Sequence, residues 1–314
     1  MKKSIAFVLA LALACLSLSV SACADELIIR EDAGGEFRPL PINLEGGAPL
    51  KGVSYKPEID VYEDPTIRVE RYRVDRSEQW PFVYYYAFIT IRDPSQLRTA
   101  SADEARPFQT SAKLTANGIA KRKNAVLAVN GDYCAAFSGN RSTNFILRQG
   151  TVYQESAEAG LDILLIDEDG DFHVLTPDMD LQNIDKTQIN GKKVINALQF
   201  GPALVIDGQA VPDEIIMEQS RNPAYAKPGA GEIRMCIAQI DKLKYMVLTC
   251  ARWGTELNRF RDLAMSLADC KTVYALDGGL SAQLVFLGRK VNNVQKGSNR
   301  PVTDIIYFAS AWFR

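Results

Sequence analysis

Apolar and polar residues alternate with a period of two over much of this chain, in short runs rich in valine, isoleucine and aromatic side chains. This is the pattern of strands with one face buried. Strands are predicted over 67–73, 82–92, 125–130, 145–152, 161–167, 172–175, 203–206, 233–240, 245–250, 272–276, 283–286 and 303–309. Asp169-Gly170 and Asp207-Gly208 read as hairpin turns. Helical spacing appears twice. One helix is predicted over 110–122, weakly interrupted by Gly118, and another over 255–268, where Leu257, Phe260, Leu263, Ala264 and Leu267 share a face behind an N-cap Thr255. The second helix lies between the strands at 245–250 and 272–276, which should run parallel or nearly neighbour each other. The class is α+β: a single domain with a mixed, largely antiparallel sheet and a few helices. There is no internal repeat, Gly-x-Gly-x-x-Gly fingerprint or P-loop.

The N-terminus has its own pattern. Lys2 and Lys3 precede an apolar run from Ile5 to Val20, too short to span a membrane with proper flanks and typical of a signal peptide. Residues 1–24 are therefore expected to direct export. Ala22-Cys23-Ala24 fits an A-x-A cleavage site, while Val20-Ser21-Ala22-Cys23 fits a lipobox with a lipid on Cys23; both readings stay open. The mature chain is either free outside the cytoplasm or tethered there, and that lipid is its sole expected membrane contact. Residues 25–58, with Gly34, Gly35, Gly46, Gly47, Pro39, Pro41, Pro49 and Pro57, read as an arm or tether, and residues 59–314 as the folded domain.

Composition narrows the chemistry. The 314 residues are 47% hydrophobic, enough for a sizeable core. Lys and Arg number 36 against 38 Asp and Glu, and no basic run offers a nucleic-acid surface. A single histidine, His173, excludes multi-histidine metal sites. Carboxylates, arginines, hydroxyls and backbone amides remain. Cys134, Cys236, Cys250 and Cys270 could pair in three ways or stay as small buried hydrophobes, Cys236 and Cys250 lying on consecutive strands.

Three predicted strands end abruptly in small and polar residues, as a rigid sheet presents reactive groups at its edge. Strand 125–130 runs into Asn130-Gly131-Asp132-Tyr133, strand 272–276 into Asp277-Gly278-Gly279-Leu280-Ser281, and Phe200-Gly201-Pro202-Ala203-Leu204 lies between them. Arg148, Arg234 and Arg300 stand on or beside strands, Arg300 opening Arg300-Pro301-Val302-x-Asp304. Each loop alone is an ordinary turn. The four segments in this order resemble the phosphodiester glycosidase domain, with the likeness spanning residues 105–311. Two departures stand out: Leu280 occupies a position where the family carries a third glycine, and Asp132 one where some members carry glycine.

The resemblance implies hydrolysis of a sugar-1-phosphodiester in a glycan or glycoconjugate. Such a linkage forms an oxocarbenium-like transition state and expels a weakly basic phosphate, so the leaving group needs its charge neutralised more than it needs a proton. Arg148, Arg234 and Arg300 are expected to bind phosphate oxygens, with Gly201, Gly278, Gly279 and Ser281 shaping the site. Asp277 or Asp132 activates water or stabilises the sugar cation, and Asn130 orients a reacting group. No cofactor is required. A divalent cation held by Asp132 and Asp277 would instead mean a metal-dependent phosphodiesterase, and a third alternative is a non-catalytic module for anionic polysaccharide. His173 and the carboxylates Asp167, Asp169 and Asp171 read as structural. The aromatic run from Phe82 to Phe88 reads as a strand, with sugar stacking there, or on Trp253, secondary.

Overall fold

The computed structural model describes residues 34–50, 60–131, 137–138, 141–220, 231–251, 254–292 and 300–314. Asp132, Tyr133, Cys134, Trp253, Cys23 and the predicted signal peptide lie outside them. Three antiparallel sheets meet at one core. The largest has eight strands, in the order Gln209–Ala210, Ala203–Ile206, Thr272–Leu276, Met235–Asp241, Lys244–Cys250, Tyr84–Ile91, Ile67–Val74 and Val61–Asp64. A five-stranded sheet runs Arg289–Lys290, Leu284–Phe286, Ala125–Asn130, Asp304–Ala309 and Leu97–Ser101. A six-stranded sheet centres on Ile163–Asp167, flanked by Phe172–Leu175 and Lys192–Leu198.

Alternation decides which face of each strand is buried. Ile237, Val247, Tyr274 and Leu276 of the eight-stranded sheet meet Leu127, Ile306 and Phe308 of the five-stranded sheet and Leu164 and Leu198 of the six-stranded one in a common core. On the opposite face of the largest sheet lie α2, Asp213–Glu218, and α3, Leu257–Leu267. In α3 the residues Leu257, Phe260, Leu263 and Ala264 are buried at helical spacing, each large side chain contributing about 1.5–3 kcal/mol. Helix α1, Ala116–Arg122, covers the five-stranded sheet.

The α+β class with a largely antiparallel sheet is observed. Every strand pairing among the described residues is antiparallel, and the parallel relation expected around α3 takes an indirect form. Lys244–Cys250 and Thr272–Leu276 both pair antiparallel with Met235–Asp241, which lies between them. Three of the predicted elements take a different form. The first helix begins at Ala116, not Thr110, because Leu114 forms a β-bridge with Val302. The segment 145–152 folds as a hairpin, Ile146–Arg148 with Thr151–Gln154, since Gln149 (φ 47°) and Gly150 (φ 74°) reverse the chain. The N-cap of α3 is Glu256, because Thr255 bridges to Glu232.

Residues 34–50 lie against the body. Glu36–Phe37 pairs with Trp312–Phe313, and Leu40 and Ala48 are buried. Arg98, itself buried, donates from Nη2 to the carbonyl oxygens of Pro41, Asn43 and Glu45 at 2.9–3.1 Å. Lys123 Nζ donates to Leu44 O and Asn124 Nδ2 to Gly47 O. Cys236, Cys250 and Cys270 are buried free thiols, which matches their reading as small hydrophobes. No helix among the described residues is long and apolar enough to cross a membrane.

Candidate active site

A cleft of about 410 Å³ opens where the eight-stranded sheet meets the loops that follow it. Its wall includes Gly201, Arg234, Asp277, Gly278, Gly279 and Arg300, six of the residues singled out from sequence, together with Phe200, Ser220, Glu232 and Leu257. The six predicted residues arrive from four stretches of chain. Strand Thr272–Leu276 delivers Asp277 at its C-terminal end, and its antiparallel neighbour Met235–Asp241 begins immediately after Arg234.

The segment 232–234 is wedged between two glycines. A β-carbon on Gly278 would lie 2.4 Å from the carbonyl oxygen of Ile233, and one on Gly254 would lie 1.8 Å from that of Glu232. Only glycine admits such an approach. The main chain of Arg234 is held by Thr249 Oγ1, which donates to its carbonyl at 2.7 Å, and by Cys250 Sγ, which accepts from its N–H at 3.1 Å. Its Nε donates to Thr255 O at 2.9 Å. This leaves a guanidinium on a fixed stem at the cleft wall. Burial pushes the Arg234 pKa down, opposed by Cys250, Glu232 and Glu256, yet a guanidinium keeps its charge at any physiological pH.

The Asp277 loop is clamped from behind. Asn130, fully buried, donates through Nδ2 to the Asp277 carbonyl at 2.8 Å and accepts at Oδ1 from the Gln283 N–H at 3.1 Å. Gln283 extends the clamp: its Nε2 donates to Arg300 O at 2.7 Å, and its Oε1 accepts from the N–H of Ala116, the first residue of α1. Asn130 thus grips the backbone of the carboxylate-bearing residue from outside the cleft wall. Ser281 is also buried, its N–H donating to Gly278 O within the turn Gly279–Ser281. Gly279 has φ +56°, and its N–H donates to Ile233 O at 2.8 Å, so this amide fastens the loop. Gly201 needs its φ of +68° to turn the chain at the cis bond to Pro202.

Arg148 lies elsewhere. It is buried between sheets, its Nη2 3.1 Å from Asp304 Oδ2, and it also donates to Ala197 O. Asp304 in turn accepts from Gly131 N–H at its main-chain oxygen, and a β-carbon on Gly131 would lie 2.7 Å from its carboxylate. Arg148 therefore underpins the Asn130-Gly131 turn and is absent from the cleft wall. Leu280 is exposed beside the cleft loop. His173 bonds Asp167 Oδ2 at 3.0 Å on the six-stranded sheet, and Lys192 and Lys242 sit among Asp169 and Asp171 of the adjoining turn, which is a hairpin. Among the described residues, no group of three acidic, histidine or cysteine side chains is arranged to hold a metal ion. Tyr84, Tyr86 and Phe88 pack on one another along one strand, and Tyr72 of the neighbouring strand stacks on Tyr86.

With this geometry in view, comparison with known proteins is direct. The family model for phosphodiester glycosidase matches residues 123–309. The chain belongs to that family. A solved structure of similar fold is the zebrafish N-acetylglucosamine-1-phosphodiester α-N-acetylglucosaminidase catalytic domain, auto-inhibited by its pro-peptide: TM-score 0.61 at 13% identity, covering 84% of this chain and 86% of that one. Another is a hypothetical protein from Synechocystis, with TM-score 0.53 at 13% identity, covering 80% of this chain and 63% of that one. At such identity these structures establish a shared fold. Comparison with curated protein sequences returned no match. The matched segment contains all four motifs read from the sequence. Glu232, Gln283 and Thr249 were not singled out, and Thr255 was read only as a helix cap, because isolated polar residues on or beside strands carry no spacing signal.

Proposed function

We propose that this chain is an exported hydrolase that cleaves the bond between an anomeric carbon and the phosphodiester oxygen attached to it. One observation supports the reading: Arg234, Arg300 and Asp277 share a cleft in a chain of the phosphodiester glycosidase family. Arg234 and Arg300 receive the phosphate, whose negative charge grows as the C–O bond stretches, and planar guanidinium groups suit its oxygens. Asp277 faces the sugar. Its carboxylate takes a proton from the attacking water, or steadies the positive ring, while Asn130 and Gln283 fix the loop that carries it. Water adds at the anomeric carbon, the C–O bond breaks, and a phosphate monoester departs with both bonding electrons.

Purified protein incubated with α-linked sugar-1-phosphodiesters tests this. Asp277→Asn should lower kcat by about 10²-fold or more, as expected for loss of an acid–base group. Arg234→Ala should lower kcat/KM by a comparable factor. Absence of turnover across a broad panel, or full rate in both variants, overturns the assignment; binding of anionic polysaccharide without turnover would point to the non-catalytic alternative. In ¹⁸O-water the label should enter the sugar, whereas label in the phosphate would mean P–O cleavage.

A further inference from the structure

Behind the cleft stands a carboxyl group that the proposed chemistry does not use. Asp162, fully buried at the head of strand Ile163–Asp167, accepts from Ala203 N–H at Oδ2 over 2.6 Å. The Gln219 side-chain amide reaches the same carboxyl group: with its nitrogen turned toward Asp162, Nε2 lies 3.0 Å from Oδ1 and 3.3 Å from Oδ2. Tyr274, three residues before Asp277, places its hydroxyl 2.8 Å from the Asp162 carbonyl oxygen and accepts at 3.0 Å from Phe200 N–H. These contacts join separate walls. Phe200 and Gly201 line the cleft from one side, and Ser220, next to Gln219 at the end of α2, from another.

We propose that Asp162 and Gln219 are positioning residues: their side chains tie the Gly201-Pro202 wall to the α2 wall and set the spacing at which the substrate's ester is received. The role in substrate reception rests on the function proposed above. The tie holds in either charge state of the acid. Ionised, Asp162 accepts from Gln219 Nε2; protonated, its O–H donates to Gln219 Oε1 once that amide has turned over, and Ala203 N–H keeps its acceptor in both cases. Burial raises the Asp162 pKa to about 6, the like charge of Asp178 adds to the rise, and the Ala203 bond opposes it. No cation among the described residues pairs with it, and the Tyr274 hydroxyl faces its main chain. The group therefore changes charge within a mildly acidic range while its partner adapts.

Hydrogen–deuterium exchange on the intact protein reads the tie without turnover. Asp162→Ala should speed exchange in both 200–206 and 213–220 by about tenfold, the size expected when one buried hydrogen bond is lost. Asp162→Asn, which mimics the protonated acid, should restore protection in both segments. Gln219→Leu, at a half-buried position, should loosen 213–220 if the Asp162 variants fail to fold. In the wild type, the Asp162 carboxyl ¹³C and the Gln219 side-chain amide ¹⁵N should titrate with one midpoint. With a sugar phosphodiester as substrate, Asp162→Ala should raise KM more than it lowers kcat. Unchanged exchange in Asp162→Ala, no rescue by Asn, unchanged exchange at 213–220 in Gln219→Leu, separate midpoints, or a kcat loss with KM unchanged would overturn the proposal. If the exchange and titration results hold while no substrate is turned over, the function fails and the tie stands.

Discussion

Two adjacent glycines in the cleft loop are needed for different reasons. Gly278 has no room, since a side chain would meet the Ile233 carbonyl, whereas Gly279 has space around it but a positive φ. Gly279→Ala should cost about 1 kcal/mol, the backbone penalty alone. Gly278→Ala must displace the wall that carries Arg234 and should cost about 2–4 kcal/mol. Urea unfolding of the two variants checks the ranking, and equal costs would mean that the wall yields. The sequence showed both glycines but not which constraint each obeys, because the obstacle at Gly278 lies some 45 residues away along the chain. Arg148 teaches the same lesson. A lone arginine before a turn reads as a ligand-binding group, and only the fold shows that Arg148 also forms a buried ion pair with Asp304.

At the level of elements, strands were legible wherever β-branched and aliphatic residues ran together and then stopped at a turn. Strands Ala125–Asn130, Phe172–Leu175, Ala203–Ile206 and Thr272–Leu276 begin and end where the pattern predicts. Lys192–Leu198 and Leu97–Ser101 were missed. The first opens with two lysines, and the second carries the polar residues Arg98, Thr99 and Ser101, which are buried all the same, so neither reads as an apolar run. Helix α2 is only six residues long and shows no complete apolar stripe. The segment 34–50 gives the sharpest test at this scale, since its Gly- and Pro-rich sequence suggests a loose attachment while Arg98 holds three of its carbonyls. Arg98→Met would leave those oxygens without their charged donor, and a loss of about 2–4 kcal/mol is expected in chemical denaturation. A change below about 0.5 kcal/mol would be the behaviour of a free tether.

Across the whole molecule, the cleft was legible as a list of residues but not as a place. Asp277, Arg234, Arg300 and the glycines announced themselves through abrupt strand ends, yet their meeting depends on sheet order, which brings Met235–Asp241 beside Thr272–Leu276. Asp162 carried no signal at all, since its importance comes from burial. It does leave a mark on global stability. A folded-state pKa raised to about 6 means that the native chain holds this proton more tightly than the unfolded one. The stability it contributes is complete below about pH 4 and is lost as pH rises through about 6. The stability gap between Asp162→Asn and wild type should therefore shift in favour of Asn by about 2–3 kcal/mol between pH 4 and pH 7, measured by urea unfolding at several pH values. A gap that stays constant would place the titration elsewhere.

The three thiols beneath the largest sheet add one more consequence. Burial pushes Cys250 to about 11 and Cys270 to about 12, so near neutrality both remain protonated and poor nucleophiles, and Cys236 is shifted the same way. An alkylating reagent can reach them only when the sheet opens. Their modification rate, mapped residue by residue, would therefore act as a clock for the rarest excursions of the native state, with no label having to be introduced.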